Sequence, residues 1–309
     1  MTRPTLAAFL ICLCLALTKA ATCCQVIDAT APFWPLAESA ADAGAFRSNV
    51  IAKFPELYQD NVLGGFGPGE LDKAAASALK RAHEDHLHAE GSARTLVHDI
   101  PQYIARFKQS LPDFRCDFPI YLMISLGRLD GAGRLVAGKP ALVLGVDVID
   151  QVETAEQLPV FFTHELFHRY HFEAAGFSDD PGDRQAIWRT LWAEGLATYA
   201  SAQFNPSRPL ADAMIFPRDL AERAAPEIGR LARGLQTNDA PNRQVYAAYF
   251  EANGLNGAQA SIPPRAGYYV GYRVAVLAAR EFSLKKLAHL KGPALQGDIN
   301  RWLNELASE

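Results

Sequence analysis

The chain has 309 residues, 49% of them hydrophobic and 21% charged, with 30 Lys and Arg against 34 Asp and Glu. That balance has no basic excess to neutralise phosphates, which argues against a nucleic-acid partner. It is also the composition of an ordinary globular protein, neither disordered nor fibrous, and long enough to bury a full core.

The first segment, 1–20, reads as a secretory signal. Arg3 gives a basic start, Leu6 to Leu17 form an apolar run, and Thr18-Lys19-Ala20 places small residues at the −3 and −1 positions of a cleavage site. The run is too short to span a bilayer, which takes roughly 20 residues, so the expectation is a secreted or periplasmic chain with no membrane span. Without Arg3 and Lys19 there remain 28 basic residues against 34 acidic ones. Cys23, Cys24 and Cys116 follow the signal, and an oxidising compartment would allow Cys116 to bond with Cys23 or Cys24. A lipid anchor at Cys23 is disfavoured, because Ala20-Ala21-Thr22 lacks the branched aliphatic residue expected before such a cysteine.

Residues 21–117 are expected to be a helical region, with helices over 35–58, 70–90 and 92–111, the last interrupted by Pro101. Gly64 to Gly69 read as a plain loop, since neither a preceding strand nor a Gly-Lys-Ser/Thr follows the phosphate-loop pattern. In this region His83, His86 and His88 stand among acidic residues and read as a solvated helix face. From Phe118 the period changes: 120–124 and 141–144 are predicted strands, joined by a glycine-rich connection over 127–138. A helix is expected over 154–174, a loop over 176–183, a second helix over 184–204, and mostly helix from there to the end, punctuated near Pro241, Gly254 and Pro263-Pro264.

The helix over 154–174 contains His164-Glu165-Leu166-Phe167-His168. On an α-helix the two histidines lie about 40° apart around the axis and about 6 Å along it, so both imidazoles can face one metal ion. Glu165 falls about 100° from His164, beside such an ion, where its carboxylate can act as a base. A catalytic zinc site needs a third protein ligand and an open position. Glu194, in Leu191-Trp192-Ala193-Glu194-Gly195-Leu196-Ala197, is the candidate, because the loop returns its helix beside the first. His171 is on the right face but two turns away, and reads as a packing residue.

His-Glu-x-x-His followed by Trp-x-Glu-Gly-Leu-Ala-Thr-Tyr resembles the gluzincin metallopeptidases, and Ala193-Glu194-Gly195-Leu196-Ala197 is similar to a segment of the aminopeptidase N group. Tyr268-Tyr269-Val270-Gly271 resembles the stretch of that group whose tyrosine polarises the substrate carbonyl. The whole pattern over 118–280 most resembles compact, exported bacterial predicted zinc proteases. The resemblance implies an α+β, predominantly helical, zincin-like metalloprotease fold over 118–309, with a small sheet whose edge strand precedes the active-site helix. It implies zinc on His164, His168 and Glu194, Glu165 as general base, and Tyr268 as oxyanion donor with Tyr269 and Tyr272 as rivals. A peptide or protein substrate would meet Gly145, Tyr269 and Tyr272, pairing with an edge strand at 141–146. Gly145-Val146-Asp147 stands where the aminopeptidases carry Gly-x-Met-Glu-Asn, the element that holds a free substrate amine, so exopeptidase action is not implied. Arg265 and Arg273 flank the tyrosines as candidates for a substrate carboxylate. The rival reading is a catalytically inactive zincin-fold peptide-binding protein, for which the base Glu165 would be superfluous.

Overall fold

A computed structural model describes residues 24–178, 184–214, 217–236, 240–252 and 261–309. The expected signal over 1–20, Cys23, the aspartates Asp179, Asp180 and Asp183, and Gly254 lie outside the described residues. The described chain is α+β and mostly helical, with one sheet of four strands. No helix among the described residues is long and apolar enough to cross a membrane.

The N-terminal region is not purely helical. Its first element is a strand, β1 (Val26–Asp28), which pairs in parallel with β2 (Ile120–Met123). Three residues are too few to show a strand period, and the partner lies some ninety positions away. Cys24, one of the two alternatives, is bonded to Cys116 across the same pair of strand entrances, with Cα atoms 4.8 Å apart. The expected helix over 35–58 is broken into α1 (Trp34–Glu38), α2 (Ala43–Phe46) and a 3₁₀ turn at Pro55–Tyr58. Ala40 takes a left-handed φ of 51° between the first two, and the Asp42 carboxylate caps α2 by accepting from Ala45 N at 2.9 Å. After α3 (Asp60–Leu63), the two long helices meet at Asp85 instead of Gly91: α4 (Glu70–Glu84) and α5 (His86–Ser110). The second runs straight through Pro101, whose ring is on the exposed side while Leu96, Ile100, Ile104 and Phe107 are buried.

The glycine-rich connection holds a strand of its own. β3 (Gly131–Val136) runs antiparallel to β4 (Lys139–Gly145), and the sheet order is β1-β2-β4-β3. The edge strand is therefore β3, and the expected edge at 141–146 is an interior strand with β2 on one side and β3 on the other. Ala137 and Gly138, both at positive φ, form the two-residue turn between them. Gly131-Ala132-Gly133 carries no apolar alternation, so no strand period marks it.

β4 leads into a short helix not expected from the sequence, α6 (Val146–Val152), and then α7 (Leu158–Ala175). α7 starts at Leu158, not Thr154, because the Gln157 side chain accepts from Thr154 N and closes a separate turn. It stops at Gly176 in the left-handed region, with Phe177 N donating to Phe172 O at 2.9 Å. α8 (Ile187–Phe204) follows, then α9 (Leu210–Ala213), α10 (Leu220–Ala224), α11 (Ile228–Gln236), α12 (Arg243–Tyr249), α13 (Ala266–Ala278), α14 (Leu284–Ala288) and α15 (Gly292–Ala307). α7 and α8 are buried on nearly every face, which is why their sequences are apolar all round. One apolar cluster extends from Phe33 through Phe162 and Trp192 to Trp302, so the helices before and after the sheet share a core.

Candidate metal centre

α7 carries His164 and His168 one turn apart, and their Nε2 atoms are 3.0 Å from each other. α8 lies beside it and brings Glu194, whose Oε2 is 3.3 Å from both. These are the only three His, Cys, Asp or Glu side chains among the described residues whose ligand atoms converge in this way. A tetrahedral ion with bonds of about 2.0–2.1 Å would have its ligands about 3.3 Å apart. The spacing and the N, N, O donor set both fit zinc. His83, His86 and His88 form no such group: the first two face the carbonyls of Ala37 and Trp34, and His88 faces Asp150.

The electrostatics agree with a site built for a cation. Burial alone would raise the Glu194 carboxyl, but the two imidazoles outweigh it and hold it well below the usual range. Burial pushes His164 down to about 4, helped by the cation beside it at His168. His168 goes up despite its burial, because Glu194 stabilises its charged form. The three groups thus favour a negative carboxylate beside a neutral His164, with His168 drawn toward its charged form. A divalent ion would need all three deprotonated and would supply the positive charge that Glu194 faces. Nδ1 of both histidines is buried without a hydrogen-bond partner among the described residues.

Glu165 lies in the same cavity, of about 210 Å³, and burial pushes its carboxyl up to about 8. Asp130 and Glu194 push the same way, while His168 and Arg265 oppose them. Its place against the sheet requires Gly131: a Cβ there would sit 2.5 Å from Glu165 Cδ. The edge strand is bare at this point so that the carboxylate can fit.

α13 supplies the fourth wall. Tyr268 stacks on the His164 ring, with centroids 6.2 Å apart and planes 20° from parallel. Its hydroxyl accepts an N–H of Arg265 at 2.8 Å, and burial raises its pKa well above the ordinary phenol value. Arg265 precedes the helix with φ of 61°, an uncommon backbone for a non-glycine residue. Gly195 of α8 and Gly271 of α13 let these helices touch. A Cβ on Gly195 would enter the Gly271 backbone, and one on Gly271 would lie 2.5 Å from Leu191 O. The glycine beside Glu194 thus serves helix packing.

Gly145, Tyr269 and Tyr272 are not among the residues that line the cavity. Gly145 is packed against Leu129 O and Ser125 Oγ, where a Cβ would not fit, and Asp147 accepts from Ser125 N and Gly127 N nearby. Tyr269 and Tyr272 face each other with centroids 6.3 Å apart, and Tyr272 lies against Tyr199, away from the cavity lining. Arg273 pairs with Glu309, whereas Arg265 does line the cavity. His171 is buried among Phe167, Phe172 and Phe177, a packing position. Asp130, the 131–134 edge, Phe172 and Gln185 also line the cavity and were not expected. The run of small residues after Asp130 was the available signal, a strand pared down beside bulky neighbours. Comparison with protein-family models, curated proteins and solved structures gives no match to this chain.

Proposed function

We propose that the chain is an exported zinc-dependent peptidase of the gluzincin type, hydrolysing bonds in a peptide or protein substrate. One observation carries this reading: His164 Nε2, His168 Nε2 and Glu194 Oε2 lie 3.0–3.3 Å apart in a cavity that also holds Glu165 and Tyr268. Zinc held by those three would supply Lewis acidity, lowering the pKa of water and polarising a carbonyl oxygen. The chain's own residues do the rest. An extended substrate adds to the edge of β3 at Gly131 to Gly133, which lies along the cavity; farther on, Asn61 Nδ2 donates to Leu135 O. Glu165 accepts a proton from the attacking water and returns it to the leaving amine. Tyr268 donates to the developing oxyanion. Because its oxygen accepts from Arg265, its own proton is left to turn toward the substrate. The signal-like segment 1–20 and the Cys24–Cys116 bond support work outside the cytoplasm, in the periplasm or the medium.

Glu165→Gln tests the reading. Cleavage of a mixed peptide library, scored by mass spectrometry, is expected to fall by about 10²–10⁴-fold. Equal cleavage by both proteins would remove Glu165 from the mechanism, and no cleavage by the native chain would leave a peptide-binding protein.

A further inference from the structure

α7 continues past the metal-ligating histidines. Phe172 lies one turn beyond His168, with ring centroids 5.6 Å apart, and Gly176 one turn beyond that. The Phe172 side chain helps line the metal-centre cavity and also a neighbouring open depression of about 590 Å³. Phe118, Pro119, Pro140 and Phe177 form the rest of its apolar wall. Charges at its rim cancel, with Asp117 and Glu173 against Lys139 and Arg169, and Glu173 is engaged by Arg115. The selective feature is thus apolar and largely aromatic.

Phe172 joins the two hollows. Gly131 to Arg134 line the metal-centre cavity, whereas the depression lies inward of that edge, against Lys139 and Pro140 at the start of β4 and Phe118 and Pro119 just before β2. From His168 to Gly176 the helix advances about 12 Å, a distance that extended chain covers in about four residues.

We propose that this depression is a substrate subsite, receiving a large apolar or aromatic side chain two to four residues from the bond presented at the metal centre. The inference rests on the peptidase reading for the nature of its ligand, and adds a sequence preference to it. On extended chain that leaves the metal centre past Phe172 toward the end of α7, alternate side chains turn to one face, so the anchor is confined to one or two positions.

The probe is a set of fluorescein-labelled peptides in which one Phe is moved stepwise through a Ser and Ala background. Each is titrated by anisotropy against the Glu165→Gln chain, then against the same chain carrying Phe177→Ala or Pro140→Asp. Phe177 packs on His171, whereas Pro140 is exposed and its replacement leaves the core alone. Phe at one position is expected to tighten binding about 10- to 100-fold, and both substitutions to abolish the gain. The native chain is expected to cleave at a fixed distance from that Phe. No gain at any position, or a gain that survives both substitutions, overturns the subsite. A gain lost in both variants, with no cleavage by the native chain, upholds the subsite and overturns the peptidase reading. Cleavage without positional preference does the reverse.

Discussion

Tyr268 and Glu165 reach one cavity from different helices, and each is held by a neighbour. Glu165 needs Gly131 opposite; Tyr268 needs Arg265, whose N–H occupies a lone pair of the phenol oxygen. Tyr268→Phe removes the donor while keeping the ring on His164. Its kcat is expected to fall about 10²-fold with KM little changed, in steady-state assays on a cleaved peptide. An unchanged kcat would take the hydroxyl out of the reaction. The ligand residues were legible because helix geometry alone puts positions four apart on one face. The rank of the tyrosines was less so. Tyr272 shares a face with Tyr268 by that rule, but the cavity opens only at the first turn of α13, and one turn further on Tyr272 meets Tyr199.

At the scale of elements, the site depends on the crossing of α8 and α13. Glu194 rides on one and Tyr268 on the other, and the Gly195–Gly271 contact sets how near they come. Gly195→Ala forces a methyl into the opposing backbone and is expected to cost about 1–3 kcal/mol in urea denaturation. Gly297→Ala, in α15 with open space around it, is the control, expected to be neutral or stabilising by up to about 1 kcal/mol. Equal effects of the two would mean that the crossing is loose. Helix existence was readable here from apolar periodicity, but β3 was not. Gly131 leaves room for Glu165, and the small residues that start the strand carry no apolar alternation. α5 runs on through Pro101 for the opposite reason: an exposed proline is tolerated where tertiary packing of the other face holds the helix.

For the whole molecule, one face of the sheet shares an apolar core with α1, α4 and α5 before it and the helices after it, and the other face packs on α3 in a second cluster. The Cys24–Cys116 bond closes a span of 92 residues, and such a loop removes about 4–5 kcal/mol of chain entropy from the unfolded state. It ties the entrance of β1 to that of β2, which fixes the sheet on which α7 lies. This framework could not be read from three cysteines of which two are adjacent, since spacing does not choose between Cys23 and Cys24. The framework matters for function only if it holds the three ligand atoms together, and metal content tests that directly. Elemental analysis of the native chain after dialysis against dilute zinc should find about one zinc ion per chain. His164→Ala should lose it, while Glu165→Gln should keep it. A native chain that stays metal-free under these conditions, or a His164→Ala chain that binds as well as the native one, would contradict the account.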